Sequence, residues 1–295
     1  MPELEIEKRL KAALCGDRAP EDGEHLFRRY QHAKEKLFRD VLPYITAVEP
    51  NLTDHSSRHI ENVLSNACRL IEHEEVDELD LYLLCQSILF HDAGNFRGRK
   101  DHHKRVGQAY DYAFQGTEKD PQERRLITRI AAAHTGTAAD GSTDTLQELG
   151  TTEQYRGRVV RSQDIAATLR LADELAEGPQ RTSAFAIEYG LIDRLSHQFH
   201  IYAGATRVTI DKRNKRIAVD YHIDSRLNSD VLEISSSILS RTCFSSFTPV
   251  SMRWMMSGDT QSTTANGLEH SNHSPSEHTC RATTIPSKLT AFLSR

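Results

Sequence analysis

The chain has 295 residues with a formal net charge of -5 and 38% hydrophobic residues, enough apolar material for one large core or two small ones. That charge gives no general reason to bind a polyanion, and no apolar run has the length needed to cross a bilayer, so neither nucleic acid nor membrane is the default partner. Five widely spaced cysteines without a CxxC pair argue against a disulfide framework or a zinc ribbon, and the charged start MPELEIEKRLKAAL lacks a signal peptide's apolar region; the expected compartment is the cytoplasm.

The first 45 residues or so read as packing helices, with Leu26, Tyr30, Ala33, Leu37 and Val41 at helical spacing. Thr53, Asp54 and Ser56 offer caps for a helix whose inward face carries Ile60, Val63, Leu64, Ala67, Leu70 and Ile71, and His59 lies one turn before Val63 on that side. Residues 79–91, LDLYLLCQSILFH, are apolar almost all round and predict a helix buried among others, with Gly94 as its stop. A basic loop, NFRGRKDHHKR, follows. Beyond a helix through Val106, Ala109, Tyr110, Ala113 and Phe114 comes a second one, in which Ile127, Ile130, Ala131 and His134 share a stripe.

Residues 137–158 read as a polar loop, and SQDIAATLRLADELAE resumes the helical period with Ile165, Leu169, Ala172, Asp173 and Ala176 on one face. The period then changes to two: Phe199, Ile201, Val208 and Ile210 predict short strands, and Ile217, Val219, Tyr221 and Ile223 alternate after the turn KRNK. Leu227, Val231, Ile234 and Ile238 add a last amphipathic helix. From Cys243 onward roughly a third of the residues are Ser or Thr and no apolar period persists, so this segment has little to offset its ordering entropy. The expected organisation is N-terminal helices over 1–45, a helical core over 46–185, a small α+β extension over 186–242 and a disordered tail over 243–295.

Four helices thus bring His59, His91 with Asp92, His134, and Asp173 to their inward faces. One inward histidine is ordinarily a hydrogen-bonded core residue, but several imidazoles and two carboxylates buried in one bundle would lack partners. A divalent metal supplies the counter-charge and uses these donor types.

This order of residues, His59, then the adjacent His91 and Asp92, then Asp173 in LADELA, resembles the H…HD…D signature of the HD-domain metal-dependent phosphohydrolases, over about residues 50 to 180. The resemblance implies a mainly α fold, an HD-type helical bundle, with a small antiparallel β-hairpin region after the last ligand helix. His103 with Gly107 resembles the H…G element of binuclear members; it is preferred to His102 on its spacing to Gly107, and His134 resembles the next histidine. The resemblance implies that His59, His91, Asp92 and Asp173 hold one metal, and that Asp92, the residue expected to be indispensable to catalysis, bridges to a second held by His103 and His134. One or two divalent ions are implied, and Mn, Fe, Co, Ni, Mg and Zn all suit such a donor set.

The segment after the HD pair offers Asn95, Arg97, Arg99, Lys100 and Lys104 as phosphate contacts, against a reading of its basic part as a solvated loop. Asn95 stands where many binuclear members have a lysine that touches substrate. His55 is read as a loop histidine that caps or bonds locally. The leading expectation is a phosphohydrolase acting on a nucleotide or a small phosphate mono- or diester. The alternatives are a non-catalytic metal-holding sensor or interaction module, and an HD-type nuclease.

Overall fold

In the computed structural model the described residues are 3–17, 19–72, 74–211, 216–224, 269–270 and 277–283. The chain divides into two units, Met1–Pro50 with His55–Asp173, and Asn51–Asp54 with Glu174–Arg295. All the candidate metal ligands named above lie in the first.

The first unit is helical: α1 (Glu5–Cys15), α2 (Gly23–Lys36), α3 (Leu42–Val48), α4 (Ser57–Leu70), α5 (Glu78–Phe90), α6 (Val106–Ala113), α7 (Pro121–Ala132) and α8 (Ser162–Glu174). A π-helical turn over Leu37–Val41 joins α2 to α3. The apolar character of α5 on every side has the expected result: α1, α2, α4, α6 and α7 all pack against it, and Leu83, Cys85, Ile88, Leu89 and Phe90 are wholly buried. Each large apolar side chain so removed from water contributes about 1.5 to 3 kcal/mol. Side-chain caps start the helices that carry the site. Ser56 accepts from the Arg58 amide at 3.2 Å, Asp77 from Leu79 at 2.9 Å, and Asp120 from Glu123 at 2.9 Å with Pro121 opening α7.

Two polar links fix α8. The carboxylate of Asp80 accepts from the Arg161 amide at 2.9 Å and from its Nε at 2.8 Å, anchoring the chain just before α8 begins. Near its other end, Asn66 on α4 donates to the Ala172 carbonyl at 3.2 Å, beside Asp173. A buried network ties α2, α6 and α7 together. Arg29 forms a two-pronged pair with Glu123, at 2.8 and 3.0 Å, and Glu123 also accepts from the hydroxyls of Tyr110 and Tyr155.

The expected polar loop over 137–158 contains structure that its sequence hid. Glu153–Tyr155 (β1) and Arg158–Val160 (β2) pair antiparallel, across a turn in which Arg156 and Gly157 have φ of 51° and 74°. Two successive positive φ values are the hairpin turn that matches strand twist, here written Arg-Gly in place of the usual Asn-Gly.

In the second unit, α9 (Ala184–Glu188) and α10 (Arg194–Ala205) precede β3 (Thr206–Asp211) and β4 (Arg216–Asp224). Phe199 and Ile201 were expected on a strand and lie instead on α10, whose N-cap Asp193 accepts from the amides of Leu195 and Ser196. The expected hairpin begins with β3, and Val208 pairs with Val219 and Ile210 with Ile217. The sheet is antiparallel in the order β3-β4-β6-β5, β5 being Glu269–His270 and β6 Glu277–Thr283. The rest of segment 243–295, and the helix expected through Leu227 to Ile238, lie outside the described residues. Among the described residues no helix is long and apolar enough to cross a membrane.

Candidate metal centre

His59 is wholly buried on α4, His91 and Asp92 follow directly on α5, His134 stands two residues past α7, and Asp173 is in the last turn of α8. The fold brings these five together as expected. The sixth is His102, not His103. Residues His102–Arg105 form a 3-10 turn, and on so tight a turn adjacent side chains point in very different directions, so one of the two histidines faces inward. His102 is buried and His103 is not, its ring resting instead over Gly136. The spacing of His103 to Gly107 thus pointed to the neighbour that lies outside the donor groups.

The donors form two groups that could hold a metal ion, His59 with His91 and Asp173, and Asp92 with His102 and His134. Asp92 stands between them. Its Oδ2 lies 3.5 Å from Nε2 of His59 and 3.3 Å from Nε2 of His91, while its Oδ1 lies 3.4 Å from Nε2 of His102 and 3.7 Å from Nε2 of His134. Asp173 Oδ1 is 3.1 Å from Nε2 of His59 and 3.5 Å from Nε2 of His91. Two donors each about 2.1 Å from a shared ion stand roughly 3 to 3.5 Å apart, and all of these distances but the 3.7 Å from Asp92 to His134 fall in that range.

The hydrogen bonds around the rings make the case chemically. Nδ1 of His91 meets the Ile88 carbonyl at 2.8 Å, Nδ1 of His102 that of Arg99 at 2.9 Å, and Nδ1 of His134 that of Ala131 at 2.5 Å. Each carbonyl can only accept, so each Nδ1 carries a proton, and the Nε2 atoms turn inward as the ligand positions. Neither ring nitrogen of His59 has a hydrogen-bond partner, nor has Nε2 of His91, although all are buried. Orphaned buried nitrogens converging on carboxylates fit a divalent metal.

Titration follows the same division. Burial alone would lower the His91 pKa, but Asp92 and Asp173 outweigh it and raise it well above the ordinary value. Burial pulls His134 down to about 3, with the charge of His91 adding to the effect, and burial also lowers His102. Burial would raise both aspartates; the imidazoles around them, His91 foremost, hold both well below the usual carboxylate range.

Three other positions bear on the cluster. Asn95 is fully buried and turns its side chain toward Asp92, donating from Nδ2 to the Asp92 carbonyl and Oδ1, each at 3.0 Å, which orients the central carboxylate. Gly94 does not stop α5 through a left-handed backbone. A Cβ there would fall 2.0 Å from the His102 carbonyl oxygen, so its small size lets the His102 turn approach. His55, expected to cap or bond locally, is buried, with Nε2 3.8 Å from Asp92 Oδ2 and 2.8 Å from Nη1 of Arg99.

The basic segment is put to several uses. Lys104 pairs with Asp101 at 2.9 Å, and Arg105 binds the carbonyls of Gly94 and Gly98, holding the loop's shape. Arg97, beside the Phe96 ring, and Lys100 are exposed. Among the four basic residues expected to contact phosphate, Arg99 is the one whose side chain is bonded to a residue beside the cluster.

The HD-CE family model matches residues 49–247, which is more than half of the chain and includes every residue of the cluster. The chain belongs to the HD-CE family, a family of HD domains. No curated protein and no solved structure matches it.

Proposed function

We propose that this chain is a metal-dependent phosphohydrolase acting on a nucleotide or another small phosphate ester. In this reading His59, His91 and Asp173 would hold one divalent ion and His102 and His134 a second, with Asp92 within reach of both groups. The observation that carries the reading is that the two oxygens of one buried carboxylate face two separate sets of histidines, an arrangement suited to a bridging ligand. When bound, such ions supply positive charge against phosphoryl oxygens and make water a nucleophile near neutral pH.

The chain's own residues prepare the site for that chemistry. Carbonyl bonds fix the tautomers of His91, His102 and His134, and Asn95 fixes the rotation of Asp92. Burial of the cluster keeps bulk water from screening its charges. Asp173, with 21% of its side chain exposed, marks the part of the cluster open to solvent. The proposed partner is a small phosphorylated molecule, and the mixed imidazole and carboxylate donors suit Mn, Fe, Co, Ni, Mg or Zn.

The test is release of phosphate or nitrophenol from a panel of nucleotides and a nitrophenyl phosphodiester, with manganese added, against a chelated sample and Asp92→Asn. The expected result is metal-dependent release that falls at least about 100-fold in the variant. Protein that retains metal by elemental analysis yet releases nothing from any substrate would instead be a metal-holding sensor module.

A further inference from the structure

One side chain outside the donor groups reaches the edge of Asp92 and is bonded to a second, Arg99. The His55 ring is buried beside that of His59, with centroids 5.5 Å apart, and its Nε2 lies 3.8 Å from Asp92 Oδ2. The same nitrogen meets Nη1 of Arg99 at 2.8 Å. A guanidinium only donates, so Nε2 of His55 accepts here through its lone pair. A nitrogen engaged in this way is not offered to a metal, which agrees with the absence of His55 from both donor groups.

The bond matters for the charge on Arg99. Two cations of this region are matched by an acid or by carbonyls, Lys104 by Asp101 and Arg105 by the carbonyls of Gly94 and Gly98, while Arg97 and Lys100 are exposed and not bonded to a residue beside the cluster. Arg99 makes no ion pair among the described residues. It is held by an uncharged acceptor, so its full positive charge is retained, and it is exposed, so further donors of its planar fork are accessible to a ligand. An uncompensated guanidinium steered to the rim of a buried cluster is an anion anchor.

We propose that Arg99 binds a negatively charged oxygen of the substrate's phosphoryl group and that His55 is its positioning residue, aiming the guanidinium at the Asp92 edge of the cluster. This rests on the phosphohydrolase reading for the identity of the anion. It adds a residue pair, neither member a metal donor, whose two parts act as one unit.

The test is calorimetric titration of inorganic phosphate into the metal-loaded protein and into Arg99→Ala, His55→Ala, His55→Gln and the double alanine variant, each with its metal content measured. Arg99→Ala should weaken phosphate binding by about 10- to 100-fold, the ordinary worth of a charge-assisted hydrogen bond. His55→Ala should weaken it similarly although Arg99 is intact, and the double variant should be no weaker than Arg99→Ala alone, because the two act through one contact. His55→Gln, whose carbonyl can also accept from Arg99, should recover most of the affinity. Metal content should be the same in all.

Unchanged phosphate affinity in Arg99→Ala overturns the anchor. Full affinity in His55→Ala, or additive losses in the double variant, overturns the positioning role, and metal loss in His55→Ala makes His55 a ligand instead. Turnover in wild type with phosphate binding indifferent to Arg99 would leave the hydrolase reading standing and remove this proposal. The expected pattern of binding without turnover of any substrate would do the reverse.

Discussion

Nε2 of His102 and Nε2 of His134 lie 3.2 Å apart, and both rings use Nδ1 to donate to backbone carbonyls. Two lone pairs face each other with no proton between them. A cation between the rings turns this repulsion into coordination, so the pair is the sharpest local sign of what the centre is built to hold.

His102→Ala should therefore lower metal content and weaken the affinity of the remaining metal by at least about tenfold, whereas His103→Ala should leave both unchanged. Elemental analysis of the two purified variants separates the adjacent histidines, and the reverse result would mean that the 3-10 turn at His102–Arg105 presents the other ring.

Gly94→Ala tests how the His102 turn is brought in. The new methyl would meet the His102 carbonyl at 2.0 Å, backbone against backbone, so the turn must move. A loss of about 1 to 3 kcal/mol in stability is expected, accompanied by loss of metal from the Asp92, His102 and His134 group. Chemical denaturation and elemental analysis on one preparation measure both; a variant that melts like wild type with full metal would sink the idea.

The Arg29 and Glu123 pair carries a stability prediction remote from the centre. Both side chains are buried, and removing the cation in Arg29→Met should cost about 3 to 5 kcal/mol by leaving the Glu123 carboxylate uncompensated. Adding Glu123→Gln to that variant should recover part of the loss, since the amide carries no charge and still accepts from Tyr110 or Tyr155. Urea midpoints of the two variants decide it.

The pH dependence of metal binding follows from His91. With no metal bound, Asp92 and Asp173 raise its pKa well above the ordinary 6.5, so it is protonated at neutral pH. Binding must displace that proton, and affinity should rise with pH until the raised pKa is passed. In the chelated protein, the His91 contribution to stability is full below about 6.5 and lost as pH rises through the raised value. The Asp92 and Asp173 contributions are full above the ordinary 3.8 and lost as pH falls through their depressed values. His134 and His102, whose pKa burial lowers, act oppositely within pH 4 to 6.5, their contributions being full above about 6.5 and lost as pH falls; above about pH 6.5 His91 is the group of the cluster that titrates, and there the gain in melting temperature on adding metal should grow with pH. Calorimetry in two buffers of different ionisation enthalpy counts the proton released.

Helix periodicity made much of the centre legible. His59, Asp173 and the stripe leading to His134 could be placed because 3.6 residues per turn fixes which side chains share a face. The same rule fails in irregular backbone: the His102 and His103 pair sits on a 3-10 turn, and His55 lies before α4 begins, so neither orientation could be read from spacing. Phe199 and Ile201 alternate as strand residues do yet lie on α10, where the capping signal at Asp193 was the better guide. The β1–β2 hairpin is three residues a side, too short for alternation to show. The family match ends at residue 247, close to the change in composition at Cys243.

The carbonyls that receive Nδ1 of His91 and His134 belong to Ile88 and Ala131, in the closing turns of α5 and α7. A helix leaves its last four carbonyls without intrahelical donors, and here the imidazoles supply what a terminal glycine motif or water would otherwise provide. The bond that finishes each helix is thus the bond that sets each tautomer. Where these helices stop and which nitrogen faces the centre are one decision, so lengthening α5 or α7 by a turn would cost both the cap and the ligand.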